Sequence, residues 1–265
     1  MLRRFVAVLM ATVLLVSCAK VPLTGRKQLS LVSQSEMVAL GAESYQQFLD
    51  ESELSQDVQE TQMVQEVGEK IALSAEKFMR ENGMEKELEY YQWEFHLIEA
   101  DTIINAFCMP GGKVGVYSGL LPVAQDKNGL AVVVGHEVAH AIANHGGERM
   151  SQLLLAQLGG IALSKAMKEK PEKTKQLVFL AYGIGANVGV LLPYSRRHES
   201  EADRIGLILM ARAGYDPREA IPFWQRMNQL GGARPPEFLS THPEPGRRME
   251  DLRDQLPEAM KYYQP

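Results

Sequence analysis

Cysteine is all but missing from this chain: Cys18 and Cys108 are the only two in 265 residues. Cys18 ends a leader-like segment, so Cys108 has no intramolecular partner and a disulfide framework is excluded. In its Phe107-Cys108-Met109 context the lone thiol reads as a small buried hydrophobe. Long apolar runs are missing as well. Phe5 to Val16 is too short for a stable membrane span, and the 16 residues from Leu177 to Leu192 carry Asn187, so core packing is expected there, with bilayer contact left open. Positive charge is not in excess: a net charge of −5 with interspersed signs leaves no basic stripe, and nucleic acid is not indicated. Repeats and low-complexity segments are absent. With 45% hydrophobic and 23% charged residues, one catalytic domain is the simplest reading.

What is present centres on Ala131 to Met150, and within it on His136-Glu137-Val138-Ala139-His140. A helix turns about 100° per residue, so His136 and His140 share a face with Glu137 beside them. Two imidazoles and a carboxylate then converge on one point. This is the spacing of a zinc hydrolase, in which the histidines ligate and the glutamate acts as general base toward metal-bound water. The apolar flanks, Leu130 to Val134 and Ala141 to Ala143, predict a buried helix. The longer signature with a third histidine is excluded, because it needs glycine and histidine where Ala143 and Gly146 stand. On an unbroken helix His145 points away from the metal and reads as a surface residue or one standing behind the ligands, and Glu148 and Arg149 are expected to pair locally.

Two histidines require a third ligand that leaves a position open for water. The cluster Ser195 to Gly206 supplies the candidates: Glu199 as ligand and, one turn on, Asp203 as the acceptor that fixes a ligand imidazole's tautomer. Arg196, Arg197 and His198 stand close enough to pair with these acids.

Elsewhere the pattern is mostly helical. Ser33 and Glu36 fit a capping box before a helix bearing Met37, Leu40, Gly41 and Tyr45. A longer helix is expected from Asp57 to Arg80, with a stripe of Met63, Val64, Val67, Ile71 and Ala72. From Glu89 the period changes to two, which predicts a strand with His96 on its solvated face. A turn at Pro110-Gly111-Gly112 and a short strand from Val114 to Tyr117 follow. Leu153–Met167 and Gln176–Leu192 read as a helical hairpin, and a last helix is expected from near Gly246.

At the N-terminus Arg3, Arg4 and the apolar run read as a signal peptide over residues 1–17. Leu15-Val16-Ser17-Cys18 resembles a bacterial lipobox, which implies lipidation of Cys18, a lipidated tether over 18–32, and the catalytic domain from 33 to 265. Ala19 after the cysteine points to the outer membrane, on its periplasmic face.

Taken in order, NAF..PGG.V.V..GLL, then H-E-x-x-H, then E-x-E-A-D, then S-T-H-P before a final helix resemble the HtpX and CAAX-prenyl-protease family of zinc metallopeptidases. The lipobox and Pro22 to Ser33 look like its bacterial outer-membrane lipoprotein branch, LoiP/YcaL-like. The resemblance implies an α+β, mainly α, gluzincin-type zinc peptidase with a small sheet edging the active-site helix. One Zn2+ per chain would be held by His136, His140 and Glu199, with Glu137 activating water, Asp203 behind the ligands and Glu201 not a ligand. Val114, Gly115 and Val116 would edge the cleft and pair with an extended substrate. Unfolded or misassembled envelope proteins are the expected substrates, in protein quality control.

His242 stays open between three roles: stabilising the oxyanion, blocking the zinc as an extra ligand, or fixing a loop. A periplasmic chaperone or assembly factor with gated proteolysis is the competing function, and a purely structural zinc site a third.

Overall fold

The computed structural model describes residues 18–21, 23–186, 192–230, 236–242 and 247–264. The expected signal peptide and the expected helix start at Gly246 lie outside them. The segment read as a tether carries structure: β1 (Cys18–Lys20) pairs antiparallel with β2 (Lys27–Leu29). The turn between them closes with Val21 N donating to Arg26 O at 2.8 Å, and Leu31 N donates to Ser151 Oγ at 2.9 Å, which pins the segment to the body.

Helix α1 (Gln34–Glu51) starts at the Ser33/Glu36 capping box. Helix α2 (Val58–Glu81) starts at Asp57, whose carboxylate accepts from Gln59 N and Glu60 N. Its buried stripe, Val64, Val67, Ile71, Ala75 and Phe78, follows the helical period and packs on β3. Strands β3 (Glu94–Ile98), β4 (Ala106–Met109) and β5 (Lys113–Tyr117) form a sheet in the order β3-β5-β4, parallel between β3 and β5 and antiparallel between β4 and β5.

That order corrects the expected substrate strand. Val114, Gly115 and Val116 lie on the central strand, with Phe95, His96 and Leu97 on one side and Cys108, Phe107 and Ala106 on the other. Their backbone is committed on both flanks and they are buried, so no peptide can add there. Of the two terminal strands, β3 meets Leu54 through an isolated bridge at Ile98, and β4 has no neighbouring strand among the described residues. His96 is corrected too: Tyr45 Oη donates to Val114 O at 2.8 Å and meets His96 Nδ1 at 2.8 Å, so the ring is tied into the sheet.

After the short helix α3 (Leu121–Ala124), α4 (Lys127–Ile142) begins at Asp126, which accepts from Asn128 N and Gly129 N. Every residue from Gly129 through Ala139 is buried. The chain then breaks: Asn144 takes a left-handed conformation (φ 54°), and α5 (His145–Ala166) sets off anew. With α6 (Glu172–Ala186), α5 forms a hairpin, earlier in its start than the pattern suggested. No helix among the described residues is long and apolar enough to cross a membrane. Helix α7 (Leu192–Arg212) crosses α4, and α8 (Ala220–Gln229), α9 (Glu237–Thr241) and α10 (Arg248–Ala259) close the other side.

The crossing of α4 and α7 is backbone on backbone. A Cβ added at Gly206 would stand 3.0 Å from Gly135 C and from His136 N. Gly206→Val should therefore destabilise the protein by about 1–3 kcal/mol through overpacking; a thermal melt unchanged from wild type would show that the crossing tolerates separation.

Candidate metal centre

Three separate elements deliver the functional side chains. Helix α4 presents His136, Glu137 and His140, one turn of α7 presents Glu199 and Asp203, and the end of α9 brings His242. One ligand atom from each of His136, His140, Glu199 and His242 lies within 4.8 Å of the others. His136 Nε2 is 3.1 Å from His140 Nε2, 3.2 Å from Glu199 Oε2 and 3.3 Å from His242 Nδ1. His140 Nε2 is 3.5 Å from Glu199 Oε1, and His242 Nδ1 is 3.1 Å from Glu199 Oε2.

These spacings test whether a metal fits. A tetrahedral zinc with bonds of 2.0–2.1 Å has ligand-to-ligand edges of about 3.3–3.4 Å. The five distances given straddle that value, and all four ligand atoms lie within 4.8 Å of one another. Charge gives the same answer: Glu137, Glu199 and Asp203 are buried beside a single buried guanidinium, Arg248, a deficit that a divalent cation would balance.

The ring orientations fit as well. His136 Nδ1 lies 2.9 Å from Asp203 Oδ1, and a carboxylate only accepts, so Nδ1 carries a proton and Nε2 is the nitrogen that faces the cluster. Arg248 Nη2 donates to the same Asp203 oxygen at 2.7 Å, with its guanidinium 3.4 Å above the Trp224 ring. Burial works against ionisation of Asp203, but Arg248 and His136 hold it below the usual carboxylate range.

Burial likewise opposes the charge on Glu199, yet the surrounding imidazoles of His140, His136 and His242 keep its carboxyl well below the ordinary range. His140 is pushed well below the usual imidazole value by burial, which leaves it neutral, the form a ligand needs. His136 differs: burial lowers it, but the hydrogen bonds to Asp203 and Glu199 win and raise it to about 9.

Glu137 is lifted above the usual carboxylate range by burial, against the pull of His242 and His136. Its Oε1 is 3.3 Å from His242 Nε2 but has no hydrogen-bond partner, an orphaned acceptor facing the cluster. A cleft of about 670 Å³ opens over these groups, lined among others by Tyr91, Cys108, Pro110, Glu137 and His140. Burial pushes the Cys108 thiol well above its ordinary value, so it stays protonated there.

A buried layer stands behind His140, and of the two places expected for His145, at the surface or behind the ligands, the second is the one it takes. Because the helix breaks at Asn144, His145 turns inward rather than away: its Nδ1 lies 2.9 Å from His140 Nδ1, and its Nε2 3.2 Å from Glu201 Oε2. Asn144 ahead of two glycines was the available signal, since asparagine tolerates the left-handed turn. Glu148 does not pair with Arg149; it meets Arg26 and, at 2.9 Å, His198 Nε2. Arg26 stood in the Pro22 to Ser33 stretch that carried part of the resemblance, but nothing there tied it to the centre, and Arg248 stood in no distinguishing pattern. Cys18, Val114, Gly115 and Val116 are not part of this centre.

Comparison with known proteins bears on this arrangement. The model described as Peptidase family M48 matches residues 59–256. The chain is 36% identical over 190 residues to the mitochondrial metalloendopeptidase OMA1 of Saccharomyces cerevisiae, covering 67% of this chain and 51% of that protein. Against the human mitochondrial metalloendopeptidase OMA1 the identity is 32% over 248 residues, 91% of this chain and 46% of the relative. The beta-barrel assembly-enhancing protease of Escherichia coli is 30% identical over 178 residues, 61% and 34% of the two chains. The chain thus spans about half or less of the curated relatives it matches. These relatives correct the expected location: those from yeasts, plant and animals are named as mitochondrial enzymes, so a lipid-anchored place on a bacterial outer membrane is withdrawn.

A metal must displace the proton that His136 holds up to about pH 9. Apparent metal affinity should therefore weaken by up to about tenfold for each pH unit of acidification below that value. Chelator competition between about pH 6 and about pH 8 checks this; a flat profile would mean that His136 is already neutral.

Proposed function

This chain belongs to peptidase family M48, and from that membership and the four-cornered cluster we infer that it is a zinc-dependent endopeptidase. The observation that carries the reading is the set of ligand spacings, 3.1 to 3.5 Å, around one point beside an orphaned Glu137 oxygen. His136, His140 and Glu199 would hold the metal. When bound, zinc supplies Lewis acidity toward the scissile carbonyl and makes a water acidic enough to attack at neutral pH.

The remaining chemistry belongs to side chains of the chain itself. Glu137 takes the proton of the attacking water and passes it to the leaving amine. Its raised pKa suits both halves of that task, because a base that releases its proton again works best near the ambient pH. Asp203, backed by Arg248, keeps the His136 proton on Nδ1.

His242 occupies the fourth corner, the position a water needs. Of its three roles, blocking is the one its Nδ1 distances to His136 and Glu199 support, 3.3 and 3.1 Å. The ring stacks on Phe238, with centroids 4.5 Å apart, so opening means lifting it off that face.

Substrate would lie in the cleft as an extended chain beside β4, whose outer edge has no neighbouring strand among the described residues. Main-chain pairing of that kind is largely indifferent to sequence. It suits unfolded or misassembled proteins of a membrane or envelope, a class in keeping with the Escherichia coli relative's name. A chaperone acting through the same groove would not need Glu137.

Glu137→Gln should retain zinc and lose at least about 10²-fold in cleavage of unfolded casein. Equal cleavage by wild type and variant would remove the general base from the mechanism. His242→Ala should raise turnover; abolition of turnover with zinc retained would overturn the blocking role.

A further inference from the structure

The hairpin between β1 and β2 precedes the residues matched to the family, yet it reaches the back of the metal site. Arg26 Nη1 and Nη2 donate to the two oxygens of Glu148 at 2.9 and 2.8 Å, and its Nε donates to Glu201 Oε2 at 2.9 Å. Thr24 Oγ1 donates to the other oxygen of Glu201. Both carboxylates are buried, so each needs such a partner in place. They in turn hold two histidines: Glu201 meets His145, Glu148 meets His198, and those two rings stack with centroids 4.3 Å apart at 13°.

Hydrogen-bond polarity then runs one way through the layer. The carboxylate of Glu201 only accepts, so His145 carries its proton on Nε2 and leaves Nδ1 as a lone pair. That lone pair faces His140 Nδ1 at 2.9 Å, a contact that closes only if His140 donates. His140 Nε2 is therefore bare, and it is the nitrogen that stands in the cluster. One ligand ring is oriented by a carboxylate directly, Asp203 on His136. The other is oriented by a carboxylate acting through an intervening ring.

We propose that Arg26 is a positioning residue for His140, holding Glu201 so that His145 accepts from His140 Nδ1 and turns its Nε2 toward the metal. The inference rests on the metal-peptidase reading for its purpose but not for its geometry. A lysine at 26 keeps the charge and loses the fork that reaches both carboxylates.

The chain holds six histidines, so long-range nitrogen–proton spectra of metal-free protein labelled in histidine can be assigned ring by ring. Wild type is expected to show His145 protonated on Nε2 and His140 on Nδ1. Arg26→Ala should mix the His140 tautomers and weaken zinc binding, read by chelator competition, by about 10-fold or more. Arg26→Lys should fall between. A folded Arg26→Ala protein with unmixed tautomers and unchanged affinity would overturn the proposal, as would a wild-type His140 protonated on Nε2. Should Arg26→Ala fail to fold, Thr24→Val removes one bond to Glu201 and keeps the guanidinium, and the same two readouts decide. If wild type binds no zinc, the peptidase reading falls while the tautomer spectra still judge the role of Arg26.

Discussion

Burying a carboxylate costs several kcal/mol unless a cation or a set of donors meets it. This protein buries five around one helix crossing: Glu137, Glu148, Glu199, Glu201 and Asp203. Much of the architecture answers that constraint. Arg248 arrives from the C-terminal helix for Asp203, and Arg26 from the N-terminal hairpin for Glu148 and Glu201. Histidines supply further donors, and three of them ring Glu199, the carboxylate proposed to meet a metal ion. Cations from the N-terminal hairpin and the C-terminal helix thus both serve carboxylates from the middle of the chain.

The core of the centre was legible because its parts are local. His136, Glu137 and His140 share one helical face by spacing, and Glu199 with Asp203 shares another, so periodicity was enough to propose each group. Where the sequence misled, the cause was a long-range partner or a broken period. The cleft-edge role of Val114 to Tyr117 was what the family resemblance implied, but strand order is set by long-range pairing, which puts β5 between β3 and β4. His145 was left between the surface and a place behind the ligands, because the helix break at Asn144 that turns it inward was not foreseen. Arg26 and Arg248 look like ordinary surface cations in sequence; only the fold shows that each is the counter-charge of a buried acid.

The same reasoning explains why the N-terminal segment was taken for a tether. Pro22, Gly25 and polar residues are the usual composition of a linker. Such composition also builds a tight hairpin, and the difference lies in what the turn touches. Location was likewise overread from a short pattern at the N-terminus, whereas the relatives match along the body of the chain.

The glycine contact between α4 and α7 has one more consequence. Side chains at a crossing can change rotamer and let two helices approach, but Gly135 and Gly206 have none to move. The contact is a mechanical stop. It fixes how closely the backbones that carry His136 and Glu199 can approach, so any adjustment between those two side chains falls to their own torsions.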